Sequence, residues 1–318
     1  MLHIGSLFHI AHVVDDLAAA ERWYDRIFAP QYMFRGNHST IEGRDASILI
    51  FADFVSEPMS PIGTDGNVAR FHARFGQRLH SIALYSNDVG AIWQRLREHG
   101  VRITDGRAPV EERPERSAIY THPRDSFGIL EFMQPRVQGS GGVATADALG
   151  ECYDPRLLGT YSPDFWRDEH PLRVVRSHLT VLVRDIAAAR ALYVDVLEAR
   201  PLFEDEHTAR GTHSLFVALG ADPVIVELAR PLSDQSDQSD QSGQSDQLDE
   251  ARELERNGEM IYSVTFRLED LAAGVGHLRA CGVEPSRRRD GSVVVAPSQA
   301  LGAVFAFSGE DVPNDPRA

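Results

Sequence analysis

Four segments of this chain repeat one pattern, and repetition of a strand–helix unit constrains the fold before any single-residue propensity does. The first segment, Phe8-His9-Ile10-Ala11-His12-Val13-Val14-Asp15-Asp16-Leu17, is an alternating strand, an acidic cap and the start of a helix over Ala18–Phe28. The pattern returns at Leu79–Leu84 before Asn87-Asp88, at Ser177–Leu182 before Asp185, and at Ile261–Phe266 before Glu269-Asp270. His9, His80 and His178 open three of these strands, and Tyr262 stands in the fourth.

Each unit continues into further strands. Side chains alternate across a strand, so His9, Ala11 and Val13 share one face while Phe8, Ile10, His12 and Val14 share the other; His9 and His12 therefore cannot serve one site. Unit one adds a strand at Ser47–Ala52, and the proline- and glycine-bearing stretch Glu57–Gly66 reads as its close. Unit two has a helix from about Asp88 to His99, strands at Ser117–Thr121 and Gly128–Met133, and a turn at His122–Gly128 between them. Unit three has a helix over Ile186–Leu197 and the strand Pro223–Leu228, in which Glu227 is costly to bury without a partner. Unit four has a helix over Leu271–Cys281 and strands at Gly291–Ala296 and Gly302–Phe307.

At 318 residues the chain suits two domains. The spacing places one over 1–135, a proline- and glycine-bearing linker over 136–173, and a second over 174–310. The run Ser233–Gln247 has nothing apolar to bury and reads as a disordered acidic insertion, followed by a short helix near Leu248–Arg256. No apolar run approaches the roughly 20 residues needed to cross a bilayer, which predicts a protein that stays out of the membrane. A formal net charge of −15 opposes binding to a phosphate backbone, so nucleic acid is not an expected partner. Cys152 and Cys281 stand alone and the first residues lack a secretion signal, which predicts the cytoplasm.

Paired strand–helix–three-strand units, with histidine on the first strand and glutamate on the last, and the Gly-hydrophobic-Glu ending of unit two, resemble the vicinal oxygen chelate superfamily, which includes glyoxalase I, methylmalonyl-CoA epimerase and extradiol dioxygenases. The resemblance runs from Phe8 to about Gln134 and from Val174 to Phe307. It implies an α+β fold of four βαβββ units paired into two domains, each a curved sheet forming a cup. In that family each unit offers a metal one position on its first strand and one on its last. Carried over, unit one offers His9 and Phe51, unit two His80 and Glu131, unit three His178 and Glu227, and unit four Tyr262 and Phe305.

The resemblance leaves two assemblies. If units two and three face each other, one divalent ion is held by His80, Glu131, His178 and Glu227; if units one and two do, by His9, His80 and Glu131. Either set suits Fe, Mn, Co, Ni or Zn. The first is the expectation, because it gives Glu227 a purpose, and it names Glu227 as the catalytic base with Glu131 as the alternative. Tyr262, Tyr120, His122, Phe51 and Phe305 are expected near the substrate. His12, His38, His72, His99, His170, His207, His213 and His277 are expected at the surface. The implied activity is a lyase, isomerase or epimerase step on a small molecule with vicinal oxygens; the alternatives are a ring-cleaving Fe(II) dioxygenase and a non-catalytic drug-binding protein. The chain is expected to act as a monomer or homodimer.

Overall fold

The same helix start is built four times. Asp16, Asp88, Asp185 and Asp270 each accept a hydrogen bond from a backbone N–H in the first turn of the following helix, at 2.8 Å from Ala19, 2.8 Å from Ala91, 2.8 Å from Ala187 and 2.9 Å from Ala273. Such a cap stabilises a helix by about 1 kcal/mol, so the acidic residue after each strand fixes where the chain turns into a helix. The structure, a computed structural model, describes residues 2, 4–40, 42–106, 108–114, 118–134, 154–232 and 250–318. The acidic run Ser233–Gln247 lies outside the described residues.

Unit one comprises β1 (Ile4–Val13), α1 (Leu17–Phe28), β2 (Gln31–Ser39), β3 (Arg44–Phe51) and β4 (Phe54–Pro61), and α2 (Asn67–Phe75) leads on. Unit two comprises β5 (Arg78–Ser86), α3 (Val89–Glu98), β6 (Ile103–Thr104), β7 (Ile119–Thr121), the short α4 (Pro123–Ser126) and β8 (Ile129–Met133). Unit three is β9 (Val174–Leu182), α5 (Ile186–Arg190, continued by a π-helical turn over Ala191–Val196), β10 (Arg200–Asp205), β11 (Thr212–Leu219) and β12 (Val224–Pro231). After α6 (Glu250–Asn257), unit four is β13 (Met260–Leu268), α7 (Leu271–Ala280), β14 (Ser286–Arg287), β15 (Val293–Val295) and β16 (Val304–Ser308).

Two eight-stranded sheets result, ordered β2-β3-β4-β1-β5-β8-β7-β6 and β10-β11-β12-β9-β13-β16-β15-β14. In both, the first strands of paired units run antiparallel at the centre, and each first strand pairs in parallel with the last strand of its own unit. The α+β expectation is met by this doubled arrangement.

One apolar core spans both halves, packed from the helix-facing sides of the two sheets. Phe28 of α1 stacks on Phe51 at 4.1 Å, and Trp23 stacks on Phe305 of the second sheet at 5.3 Å. Phe51 and Phe305 therefore face this core, on the side of each sheet away from the cup, and do not line a substrate site as the sequence suggested. Burial of aromatic area, with about 0.5–1.5 kcal/mol per well-set ring pair, fixes them there. Described residues 154–173, read from the sequence as a linker, also pack tightly: Trp166 donates to Phe28 O at 2.7 Å, Tyr161 to Ala52 O at 2.5 Å, and Tyr85 to Asp154 at 3.0 Å.

The two faces of β1 separate as alternation requires, with His9 on the cup side and His12 on the core side. His12 is fully buried, contrary to the surface expectation, because it joins the halves: one ring nitrogen lies 2.9 Å from Tyr24 Oη and the other 2.9 Å from Leu301 O, while Ser56 donates to Tyr24 at 2.8 Å. His170 is buried as well. Burial holds the His12 imidazole down at about 4, and no charged side chain bonds to it. A folded-state value below the unfolded one means that the unfolded chain binds the proton first as the medium acidifies. This contribution to stability is thus present above pH about 6.5 and is lost as pH falls toward 4, by roughly 3 kcal/mol for a fully buried ring. Urea unfolding at pH 7.5 and 4.5 should show this loss, and His12→Asn should flatten the slope; an unchanged slope would show that His12 is protonated in the folded state.

Candidate metal centre in the first cup

The cup face of the first sheet carries charge at its centre and apolar side chains at both ends. One end is Phe8, Ile48, Ile50, Val55, Ala83 and Tyr85, with Tyr161 and Leu157 packed against it. The other is Ala11, Val13, Ala46, Met59 and Val68, with Phe71 of α2 alongside. Between them lie His9, Glu57 and Glu131, all buried, with Arg44, Tyr120 and His80.

Local backbone features decide who reaches this centre. Between β1 and β5 the register slips three times: between Ile4 and Leu7, at Phe8, and at His80, where Ala11 faces Ser81 but His12 faces Leu79. A bulge inserts one extra residue and turns it out of the strand's simple alternation. Phe8 thus joins the cup side, against the alternation read from the sequence, and His80 stands beside Ser81, whose hydroxyl is 3.0 Å from His80 Nδ1. Phe71 sets its ring edge-on to His80 at 4.6 Å. In the parallel pairings Glu57 lies level with Ala11 and Glu131 with Ala83, so each last strand brings a carboxylate up beside its first strand.

Glu57 is the residue the sequence reading missed. Pro58 and Pro61 make its segment look like a turn, yet it forms β4, a central strand. The ladder to β3 lapses opposite Glu57 and Pro58, where proline has no N–H to offer. A signal was present, because Glu57 precedes Pro61 as Glu227 precedes Pro231, and in the structure Glu57 and Glu227 occupy matching register positions beside β1 and β9.

His9 Nε2 lies 3.0 Å from Glu57 Oε2 and 3.7 Å from Glu131, and Arg44 Nη1 lies 2.7 Å from the other oxygen, Glu57 Oε1. Burial by itself raises the Glu57 carboxyl, but Arg44, with help from His9, draws it down to about 2. Burial lowers His9, yet Glu57 and Glu131 bring it above its ordinary value. Glu131, buried with less compensation, is raised, and Tyr120, its neighbour across β7 and β8, is pushed up by the same burial. His80 is held at about 4 by burial. Two carboxylates in one pocket are thus shifted in opposite directions, Glu57 down by Arg44 and His9 and Glu131 up by burial.

The remaining sequence-derived residues separate. His178 and Glu227 sit in the second sheet's cup, where Arg210 pairs with Glu227 and the hydroxyls of Ser214 and Thr180 donate to it at 2.7 and 2.8 Å. The set His80, Glu131, His178 and Glu227 is therefore not brought together: each pair belongs to its own sheet, and the buried charge of Glu227 is answered by Arg210. His122 turns away to cap α4 and meet Arg102 at 3.2 Å. Tyr120 does reach the first cup. Tyr262 lies in the second cup, and because Ala306 there matches Glu131 in register, unit four offers no carboxylate.

A sequence model of the Glyoxalase/Bleomycin resistance protein/Dioxygenase superfamily matches this chain twice, over residues 8–120 and 177–295. The chain belongs to that superfamily, the vicinal oxygen chelate superfamily, and carries two glyoxalase-like domains. Among solved structures it resembles a mutant of 4-hydroxymandelate synthase from Streptomyces coelicolor, at 13% identity and a TM-score of 0.63 over 99% of this chain and 96% of that one. Methylmalonyl-CoA epimerase from Mycobacterium tuberculosis matches at 21% identity and a TM-score of 0.39, over 45% of this chain and 95% of that one. A hypothetical protein from Bacillus halodurans C-125 matches at 20% identity and a TM-score of 0.37, over 43% and 98%. No curated protein sequence matches the chain. Among the described residues no helix is long and apolar enough to cross a membrane.

Proposed function

We propose that the first cup is the active centre of a divalent-metal-dependent enzyme that moves a proton on a small molecule bearing vicinal oxygens, in a lyase, isomerase or epimerase step. The observation that carries this reading is that two imidazoles and two carboxylates, His9, Glu57, His80 and Glu131, reach the buried centre of one cup from four matching strand positions.

The donor set suits Fe, Mn, Co, Ni or Zn. As the side chains stand, no group of three or more such donors among the described residues encloses an ion. His9 engages Glu57 and Glu131 instead, and His80 meets Ser81. The 3.0 Å between His9 Nε2 and Glu57 Oε2 is the separation of adjacent donors about 2.1 Å from an octahedral ion. Arg44 holds Oε1 and leaves Oε2 facing His9, so it orients the carboxylate as an outer partner does in a metal site. His9 Nδ1 is buried with no hydrogen-bond partner, so the ring is held through Nε2 and its two carboxylates alone.

A bound ion would act as a Lewis acid on a substrate carbonyl and acidify the adjoining carbon–hydrogen bond. The chain supplies the base. Glu57 is committed to Arg44 and His9, whereas Glu131 meets His9 only at 3.7 Å and has Tyr120 beside it. Glu131 is therefore the carboxylate that takes the proton and returns it, and Tyr120 supports it by hydrogen bonding. Glu227 has no part in this centre. The apolar ends of the cup, with Phe71 and Tyr161 beside them, exclude water from the transferred proton.

The test is turnover of a panel of 2-hydroxy- and 2-oxocarbonyl compounds by the metal-loaded protein. Removing oxygen should leave the rate unchanged, and Glu131→Gln should lower kcat by about 10²–10⁴. Strict dependence on oxygen would assign the centre to ring-cleaving dioxygenation, and binding without turnover would assign it to sequestration.

A further inference from the structure

The second cup is built on the same strand order as the first and has a different centre. The register position of His80 is taken by Tyr262 and that of Glu131 by Ala306, while Arg210 and two hydroxyls occupy Glu227. No pair of donors remains to face His178, so this cup does not repeat the chemistry of the first.

Its centre nevertheless gathers buried polar atoms with nothing to bond. The Tyr262 hydroxyl, Ser263 Oγ, Glu250 Oε2 and Arg288 Nη2 are all without a hydrogen-bond partner, although Tyr262 is 6%, Ser263 0% and Glu250 8% exposed. The bulge at Tyr262, between the pairs Ile261–Val181 and Ser263–Thr180, turns Tyr262 to the cup side next to Ser263. Ser263 in turn lies opposite Thr180, whose hydroxyl donates to Glu227. From α6, which lies over this cup, Glu250 reaches in: its Oε1 is 3.6 Å from Arg210 and 3.9 Å from Arg288, too far for a hydrogen bond to either. Glu250, Arg288 and Arg210 are the charged groups around the Tyr262 hydroxyl, with Glu253 of the same helix. Leu182, Leu254, Val294 and Val304 supply an apolar wall.

Buried polar groups are normally paired, because an unmade hydrogen bond forfeits the hydration that burial removed. Four orphans in one cup, three able to donate and one an acceptor, describe the complement of a ligand. Arg288, Tyr262 and Ser263 suit an oxyanion, and Glu250 Oε2 suits a hydroxyl or amino hydrogen next to it. We propose that the second cup is a metal-independent binding site for a small carboxylate carrying a neighbouring hydroxyl or amino group. The site is separate from the centre in the first cup and does not depend on the activity assigned there.

Titration calorimetry on the full chain with lactate, alanine and propionate tests this, before and after treatment with EDTA. Lactate or alanine should bind in either condition, and propionate, which lacks the second polar group, should bind about tenfold more weakly or not at all. After EDTA treatment, Tyr262→Phe and Arg288→Gln should each weaken binding at least about tenfold, while His9→Ala should leave it unchanged. Tyr262→Phe should melt no lower than the parent, since it removes a hydroxyl that bonds to nothing, so lost binding cannot be ascribed to lost folding. The proposal is overturned if none of the probes binds, if EDTA abolishes binding, or if both variants bind as the parent does.

Discussion

Alanine at His9, Glu57, His80 or Glu131 is expected to take metal content from near one ion per chain to a small fraction of that, whereas alanine at His178 or Glu227 leaves it unchanged. The contrast follows from where charge is already answered. Glu227 is bound on both oxygens, Oε1 by Arg210 and Ser214 and Oε2 by Thr180, and its charge is already answered by Arg210. Glu57 spends one oxygen on Arg44 and turns the other toward His9, with Glu131 approaching from the opposite side. Ion binding must displace the proton shared in the His9–Glu57 pair, so affinity should also fall as the medium acidifies. Elemental analysis of purified variants, with circular dichroism as a check on folding, decides the matter. Arg44→Met is an informative companion, because losing an outer partner of a ligand costs about 10–100-fold in affinity without emptying the site at saturating metal. Loss of the ion in His178→Ala but not in His9→Ala would sink the assignment to the first cup.

The second large effect concerns the joint between the two halves. Gly302 has φ +80°, and a Cβ built there would lie 1.9 Å from Gln77 O, with the Gln77 carbonyl carbon at 2.4 Å. Both the conformation and the space exclude a side chain, and the obstacle is backbone, which cannot rotate away. Its neighbour Leu301 supplies the carbonyl that holds His12, so pushing this turn outward also strips a buried histidine of its partner. Gly302→Ala should cost at least about 3 kcal/mol, which for a chain of this size lowers the melting temperature by roughly 6–12 °C. Gly276→Ala is the control: it sits within α7, where a Cβ would meet nothing within 4 Å, and it should gain about 0.5–1 kcal/mol from helix propensity. Equal melting of the two variants would mean that the halves can shift apart at this turn without cost.

Much of the fold was legible because it is written four times. An alternating strand followed by an aspartate cap is a local instruction, carried by side-chain parity and by one hydrogen bond, and it needs no knowledge of the rest of the chain. Asp16, Asp88, Asp185 and Asp270 cap as their positions imply, and the separation of His9 from His12 across β1 followed from alternation alone.

What the sequence could not decide depended on pairing between distant strands. Glu57 became a cup residue because β4 lies in register beside β1, and its prolines concealed a strand whose ladder simply lapses where they fall. His80 and Tyr262 reach their cups through bulges, which alternation cannot foresee because a bulge is a mismatch between two strands and belongs to neither alone. Phe51 and Phe305 were drawn to a core shared by both halves, since that is where aromatic area can be buried. The partner of Glu227, Arg210, comes from the segment between β10 and β11, which no reading of strand β12 alone could supply. The sequence thus determined the units and their caps, and the tertiary structure determined which imidazoles and carboxylates share a cup, because such clusters are properties of registry and charge compensation across strands far apart in the chain.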